Sequence, residues 1–204
     1  MSTPFDLVVW DFDGVLNANI VDGRFVWVDQ IEADLGVNRE RFQNFVFRSG
    51  LIHDVVAGRR DLLEVVADWI TRERLKIDAD AFLDYWFEHD ALPDPQVIDW
   101  LKGYGGRSVI GTNNEARRAA YIENQMGFGA HVEAVFASGR MKVAKPDQAF
   151  FEQIETWSGT SGDKILLVDD TLKNIEAAQA KGWQGLYFTP ETRNHLPALL
   201  GLEV

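Results

Sequence analysis

A chain of 204 residues with 46% hydrophobic and 25% charged residues has the make-up of one globular domain, or one domain with a modest insert. It contains no cysteine, which excludes a disulfide framework, a cysteine nucleophile and any thiolate-bound zinc or iron–sulfur site. Its 20 basic against 32 acidic side chains give a net charge of −12, which repels nucleic-acid phosphates and anionic lipids.

Along the chain, five short apolar runs each lead into a polar cluster and then a helix-like segment. Leu7–Trp10 leads into Asp11-Phe12-Asp13-Gly14, Ser108–Gly111 into Thr112-Asn113-Asn114, and Ala134–Ala137 into Ser138-Gly139. Ile165–Val168 leads into Asp169-Asp170-Thr171, and Gly185–Phe188 into Thr189-Pro190. None of these runs alternates, as expected of parallel strands buried on both faces. Helices are predicted over 116–126, 148–157 and 172–181, the last stopped by Gly182. Strands alternating with helices predict an α/β fold with a doubly wound parallel sheet.

Residues 17–92 break that rhythm. Ile20–Trp27 centres on Asp22-Gly23, a pair suited to a two-residue hairpin turn. The remainder reads as helical, with Leu62, Val65, Val66, Trp69 and Ile70 forming one apolar stripe and Phe82, Tyr85 and Trp86 another. The expected organisation is a discontinuous α/β core, residues 1–16 and 93–204, carrying a hairpin and helical cap over residues 17–92. No apolar run reaches the ~20 residues of a membrane span. The opening residues lack the basic end and apolar centre of a signal peptide, so a cytoplasmic protein without a membrane or nucleic-acid partner is expected. An apolar cap face equally suits a monomer or a homodimer.

In open α/β sheets, ligands bind at the carboxyl ends of the strands. Here those ends bring Asp11 and Asp13, Thr112 and Asn113, and Asp169 and Asp170 to one rim, with Lys145 added from the segment after the third strand. Four carboxylates crowded together raise one another's pKa unless a cation lies among them, and an oxygen-only donor set suits Mg²⁺. Each residue also has a structural reading: Thr112 and Asp170 suit helix N-caps, Pro146 a first-turn proline, Asp13-Gly14 a turn, and Lys145 surface charge. An EF-hand reading fails, because Val15 stands at the fifth position counted from Asp11, where an oxygen ligand is required. The four histidines lack metal-ligand spacing. Trp27, Arg48, Arg59 and Arg60 are candidates to face a substrate from the insert, although a solvated helix face is the simpler reading of each arginine.

Asp11-Phe12-Asp13-Gly14-Val15-Leu16, Gly111-Thr112-Asn113, Ala144-Lys145-Pro146-Asp147 and Val168-Asp169-Asp170, in that order, resemble the four motifs of the haloacid dehalogenase-like (HAD) superfamily. The resemblance covers the whole chain and implies a Rossmann-like core with a cap between the first two motifs. It makes Asp11 the nucleophile that forms an aspartyl-phosphate and Asp13 the general acid and base. Thr112, the Asn113 amide and Lys145 would hold the phosphoryl group. Asp11, the Asp13 main-chain carbonyl and Asp170 would bind Mg²⁺, with Asp169 and Asn174 as further ligands or as groups acting through water. Asn174 departs from the Asp of many relatives. The implied activity is Mg²⁺-dependent hydrolysis of a small phosphomonoester, a sugar phosphate or similar metabolite. A phosphomutase, a 2-haloacid dehalogenase or a non-catalytic phosphate-binding protein are alternatives, and Asp13 favours phosphate over halide chemistry.

Overall fold

A computed structural model describes residues 3–202. Strand β1 is Leu7–Trp10, followed by a two-residue hairpin of β2 (Ile20–Val21) and β3 (Arg24–Phe25). Helices α1 (Ile31–Leu35), α2 (Arg39–Gln43), α3 (Leu51–Val56), α4 (Leu62–Glu73) and α5 (Ala79–His89) come next, and α6 spans Pro95–Gly103. Then β4 (Arg107–Thr112), α7 (Ala116–Asn124), β5 (Val135–Ala137), α8 (Ser138–Met141) and α9 (Gln148–Ser158) alternate. Strand β6 (Ile165–Asp169), α10 (Leu172–Ala180), β7 (Gln184–Tyr187) and α11 (Leu196–Leu199) complete the order.

The five long-sheet strands are all parallel, in the order β5-β4-β1-β6-β7. The chain steps outward from β1 to β4 and β5, then returns to the opposite side for β6 and β7. This leaves the switch point of the sheet at the end of β1. Alternation along β1 feeds two cores. Val8 and Trp10 pack with Ile110, Val168 and the α6 and α7 residues Val97, Leu101 and Ile122. Leu7 and Val9 pack on the other face with Val109, Leu167 and the α9 side chains Phe150, Phe151 and Ile154.

The helices between β3 and α6 bury a separate, aromatic cluster. Phe42 sits among the rings of Trp69, Phe82, Trp27 and Trp86 at centroid distances of 5.0, 5.2, 5.7 and 5.8 Å. The α4 stripe is buried as its spacing predicts, whereas Tyr85 lies half-buried at the rim of α5 and its hydroxyl donates to Asp34 at 2.7 Å. Asp22 and Gly23 take the positive φ values, 51° and 72°, that a tight hairpin turn requires.

This helical layer joins the sheet through two chain crossings that lie side by side. The Ala18 N–H donates to Leu92 O at 2.7 Å and the Asp94 N–H to Leu16 O at 2.9 Å. Asn17, fully buried between them, donates from its side chain to Asp90 O and accepts from the Leu92 N–H, both at 2.7 Å. Arg118 of α7 donates to Phe87 O at 2.8 Å and pairs with Asp90 Oδ2 at 3.0 Å. Across the layer, Lys142 Nζ donates to Gly58 O at 2.8 Å. Among the described residues no helix is long and apolar enough to cross a membrane.

Two capping expectations fail. Helix α7 is capped by Glu115 and α10 starts after Thr171, so neither Thr112 nor Asp170 is spent as a cap. Pro146 stands ahead of the Asp147 cap of α9 rather than inside the first turn.

Candidate active site

Register fixes the first contacts. Trp10 pairs with Ile110 and with Val168, so the residues just past these positions emerge at one edge, and the Asp11 N–H donates to Val168 O at 2.8 Å. Lys145 reaches the same point from the loop before α9. Its fully buried ammonium lies 3.0 Å from Asp11 Oδ1, 2.6 Å from Asp169 Oδ2 and 2.6 Å from Gly111 O. It is no surface charge. Asp11 Oδ1 also accepts from the Phe12 N–H at 2.7 Å, which leaves Oδ2 without a protein partner among the described residues.

Carboxylate oxygens of Asp11, Asp169 and Asp170 all lie within 4.8 Å of one another. Asp169 is fully buried, and both its oxygens are engaged. Oδ1 accepts from the Thr171 N–H at 2.8 Å and from Asn174 Nδ2 at 3.0 Å, while Oδ2 accepts from Lys145 and, at 3.1 Å, from the same Asn174 amide. The Asn174 amide therefore braces Asp169. Asp170 is less buried, and its carboxylate lies against Gly14, where an added Cβ would stand 2.2 Å from Asp170 Oδ2.

Asp13 is held by three carboxamides that the motif reading did not single out. Oδ1 accepts from Asn19 at 2.8 Å and Asn17 at 3.3 Å, and Oδ2 accepts from Asn114 at 2.8 Å. The Asn114 amide also donates to Thr112 Oγ1 at 2.8 Å, tying the hydroxyl to the carboxylate. Asn17 and Asn19 follow Asp13 closely in sequence, and their burial would have marked them, but asparagine spacing alone has no periodic signature. The Asn113 side chain is spent on the main chain of Lys145, donating to its carbonyl at 2.9 Å and accepting from its N–H at 2.8 Å. What Asn113 has to offer a ligand is its main-chain N–H.

Burial, then the Asp169 charge, push Asp11 well above the usual carboxylate range against the pull of Lys145. Burial and Asp169 likewise lift Asp170 to about 6, opposed by Thr171 and Lys145. Burial alone would lower Lys145, but Asp11 and Asp169 outweigh it and leave the ammonium above its ordinary value. At the chain crossing, burial and the Asp13 charge raise Asp90 to about 8 against Arg118 and Asn19. Burial also raises Glu115, opposed by the Arg117 and Arg118 N–H groups.

These four carboxyls share a sign. The unfolded chain releases its protons near pH 4 and the folded chain only later. The stability they contribute is complete below about pH 4 and is lost as pH rises through the folded values. We expect the denaturant midpoint of chelator-treated protein to fall between pH 5 and pH 8, through the values of about 6 and about 8 for Asp170 and Asp90. A midpoint that climbs over that interval contradicts the assignment.

Above Asp13 a cavity of about 300 Å³ opens between the sheet edge and the helical layer. Trp27 lines it, as do Asn113 and Asn114. Arg48, Arg59 and Arg60 do not: Arg48 donates to Asn44, Arg59 pairs with Asp54 and Arg60 with Asp68.

The family model for haloacid dehalogenase-like hydrolases matches residues 5–182. The chain belongs to this family. A phosphoglycolate phosphatase of Pseudomonas aeruginosa is 25% identical over 186 residues, covering 86% of this chain and 66% of that protein. A sesquiterpene phosphatase of Aspergillus oryzae is 40% identical over 89 residues, 44% of this chain and 45% of that protein. The HAD chain thus spans just under two thirds of the first relative's length, and the match to the second spans less than half. In fold, it superposes on a HAD-like family hydrolase from Porphyromonas gingivalis with a TM-score of 0.75 at 16% identity, covering 96% of this chain and 98% of that one. A HAD family enzyme from Bacteroides thetaiotaomicron, solved with magnesium and inorganic phosphate, gives 0.72 at 18% identity, covering 92% and 95%.

Proposed function

We propose that this HAD-family chain is a Mg²⁺-dependent phosphatase that hydrolyses a small phosphomonoester through an acyl phosphate on Asp11. The observation that carries the reading is the free Oδ2 of Asp11 beside a buried lysine, with Asp13 oriented next to it. An all-oxygen cluster of three carboxylates, two of them holding protons to unusually high pH, is what a hard divalent cation would relieve. The donor set therefore fits Mg²⁺. Asp11, the Asp13 main-chain carbonyl and Asp170 would hold it, Asp170 being preferred because both oxygens of Asp169 are already engaged. Bound Mg²⁺ supplies charge neutralisation at the phosphoryl oxygens.

The chain's own groups account for the rest. Asp11 Oδ2 attacks phosphorus as the ester P–O bond breaks, and the departing alcohol oxygen takes a proton from Asp13. Asp13 then accepts a proton from the water that attacks the acyl phosphate, releasing inorganic phosphate and restoring Asp11. The Thr112 hydroxyl and the Asn113 N–H hold the phosphoryl oxygens, while the Lys145 ammonium, engaged by Asp11, Asp169 and Gly111 O, positions the nucleophile and offsets the charge that gathers beside it. The helical segment over residues 17–92 serves as the cap that encloses the organic group. The names of the two relatives point to substrates of opposite polarity, so they support the phosphatase class without choosing the alcohol.

The test is phosphate release from an aryl phosphate with and without Mg²⁺, with products analysed for free phosphate against an isomerised ester. Asp13→Asn should accumulate a covalent phosphoenzyme, read by intact mass. Release that ignores Mg²⁺, or an isomerised product, overturns the reading. Gly14→Ala supplies a separate check on the metal. Gly14 has φ 78°, and a methyl there meets Asp170 Oδ2. The substitution should cost about 1 kcal/mol of stability and weaken Mg²⁺ binding by about tenfold or more in a calorimetric titration. An unchanged affinity would take Asp170 out of the ligand set.

A further inference from the structure

The cavity over Asp13 has a divided lining. Its helical side is aromatic and aliphatic: Phe25, Trp27, Phe47, Trp86, Phe87 and Leu62 are among its walls. Apart from the exposed His53 of α3, its polar groups gather at the sheet edge and the chain crossing, and they are largely committed to one another. Asn114 serves Asp13 and Thr112, and Glu115 accepts the first N–H groups of α7. Asp90 is taken by Asn19 and Arg118.

Charge decides what this space accepts. The single strong cation of the lining is Arg118. It is buried, paired with Asp90 at 3.0 Å, and lies over the rings of Phe87 and Tyr121 at 5.3 and 5.4 Å. Against it stand three carboxyl groups, those of Asp13, Asp90 and Glu115. A second anionic group on the substrate would meet three carboxyl groups and a guanidinium already engaged by Asp90 and the Phe87 carbonyl. Two lining residues carry a buried N–H without a partner among the described residues, Trp27 Nε1 and Arg118 Nε, a small set of donors for a polar ligand. A polyhydroxylated sugar would strip water from many hydroxyls and find few partners.

We infer that the alcohol part of the substrate is an uncharged, predominantly apolar alkyl, prenyl or aryl group, bound in this cavity while its phosphate sits at Asp11 and Asp13. The inference rests on the phosphatase reading and narrows the expected sugar phosphate to a hydrophobic monoester. The geometry is consistent: Asp13, the acid for the leaving oxygen, is itself part of the lining, so the group attached to that oxygen emerges into the aromatic space. A dry cavity of about 150 Å³ holds benzene, so about 300 Å³ takes a group of about ten to twelve carbons.

The experiment compares kcat/KM of the Mg²⁺-loaded enzyme for ethyl, hexyl and decyl phosphate with that for 2-phosphoglycolate and glucose 6-phosphate. We expect kcat/KM to climb about two- to threefold per added methylene until the cavity is filled, and decyl phosphate to exceed phosphoglycolate by at least about 100-fold. Val56→Arg, a half-buried lining position, should invert this order by adding a cation and removing apolar wall. Binding is read separately from turnover by quenching of tryptophan fluorescence, since Trp27 and Trp86 line the cavity, with decylphosphonate against 2-carboxyethylphosphonate as probes. Phosphoglycolate or glucose 6-phosphate turned over as well as decyl phosphate overturns the inference and leaves the phosphatase standing. No turnover of any ester, with decylphosphonate bound at least tenfold more tightly than its carboxylated counterpart, overturns the phosphatase and leaves the apolar site standing. Equal or reversed phosphonate affinities overturn the inference whatever the turnover.

Discussion

Asp11→Asn should abolish Mg²⁺-dependent phosphate release, by about 10⁴-fold or more, without weakening the fold. The loss follows from chemistry: a neutral carboxamide oxygen is a poor nucleophile, and no other carboxylate is positioned to replace it. Asp169 has both oxygens engaged, and Asp170 lies off toward Gly14. Retained stability follows from the surroundings. The amide oxygen of Asn keeps the bonds from the Phe12 N–H and from Lys145, while one of three crowded acidic groups is replaced by a neutral amide. The metal-free variant should therefore unfold at an equal or higher denaturant concentration than wild type near neutral pH, where burial and Asp169 oppose ionisation of Asp11. Activity within tenfold of wild type removes Asp11 as nucleophile. A marked fall in midpoint would instead assign it a structural role.

The second large effect is expected at Lys145, where both quantities should drop. Lys145→Met leaves Asp11 and Asp169 buried without their cation. Breaking a buried pair in this way costs about 3–5 kcal/mol. It also removes the cation that positions Asp11 and offsets charge beside the transferring group, a loss of about 10²–10³-fold in kcat. The sign with pH is fixed by Asp11, whose burial favours the protonated form: as the medium is acidified it takes up a proton, and the stability deficit shrinks. Denaturant unfolding with chelator at pH 7 and pH 5, together with phosphate release, checks all three points. A Met variant as stable as wild type at pH 7 would mean that Asp11 and Asp169 do not need the lysine.

The parallel strands were legible because a strand buried on both faces leaves an uninterrupted apolar run, and the five runs match β1 and β4–β7 to within a residue or two. The hairpin was legible through Asp22-Gly23, and α4 through its stripe. Helix α6 was not picked out, although Asp94 as cap and Pro95 in the first turn were available as start signals. The short helices α1 to α3 had no such handle. Each has five or six residues, too few for periodicity, and a wider-wound turn over Asn44–Arg48 interrupts them. At the site, the charged residues announced themselves by their positions at strand ends. The asparagines did not, because Asn17, Asn19 and Asn114 act only through the fold that brings them to Asp13, and Asn113 and Asn174 turn out to brace Lys145 and Asp169.

Asn17 occupies an unusual position: one carboxamide contacts Asp13, the carbonyl of Asp90 and the N–H of Leu92. Asn19 repeats the link from Asp13 to the Asp90 side chain. A change in the tilt of the helical layer against the sheet would move Asp90 and Leu92, and the same amides would carry it to Asp13, the acid of the proposed reaction. In that reaction the quality of fit around a substrate's organic group would be registered as proton-transfer geometry. Poorly filling esters should then lose turnover number more than they raise the half-saturating concentration.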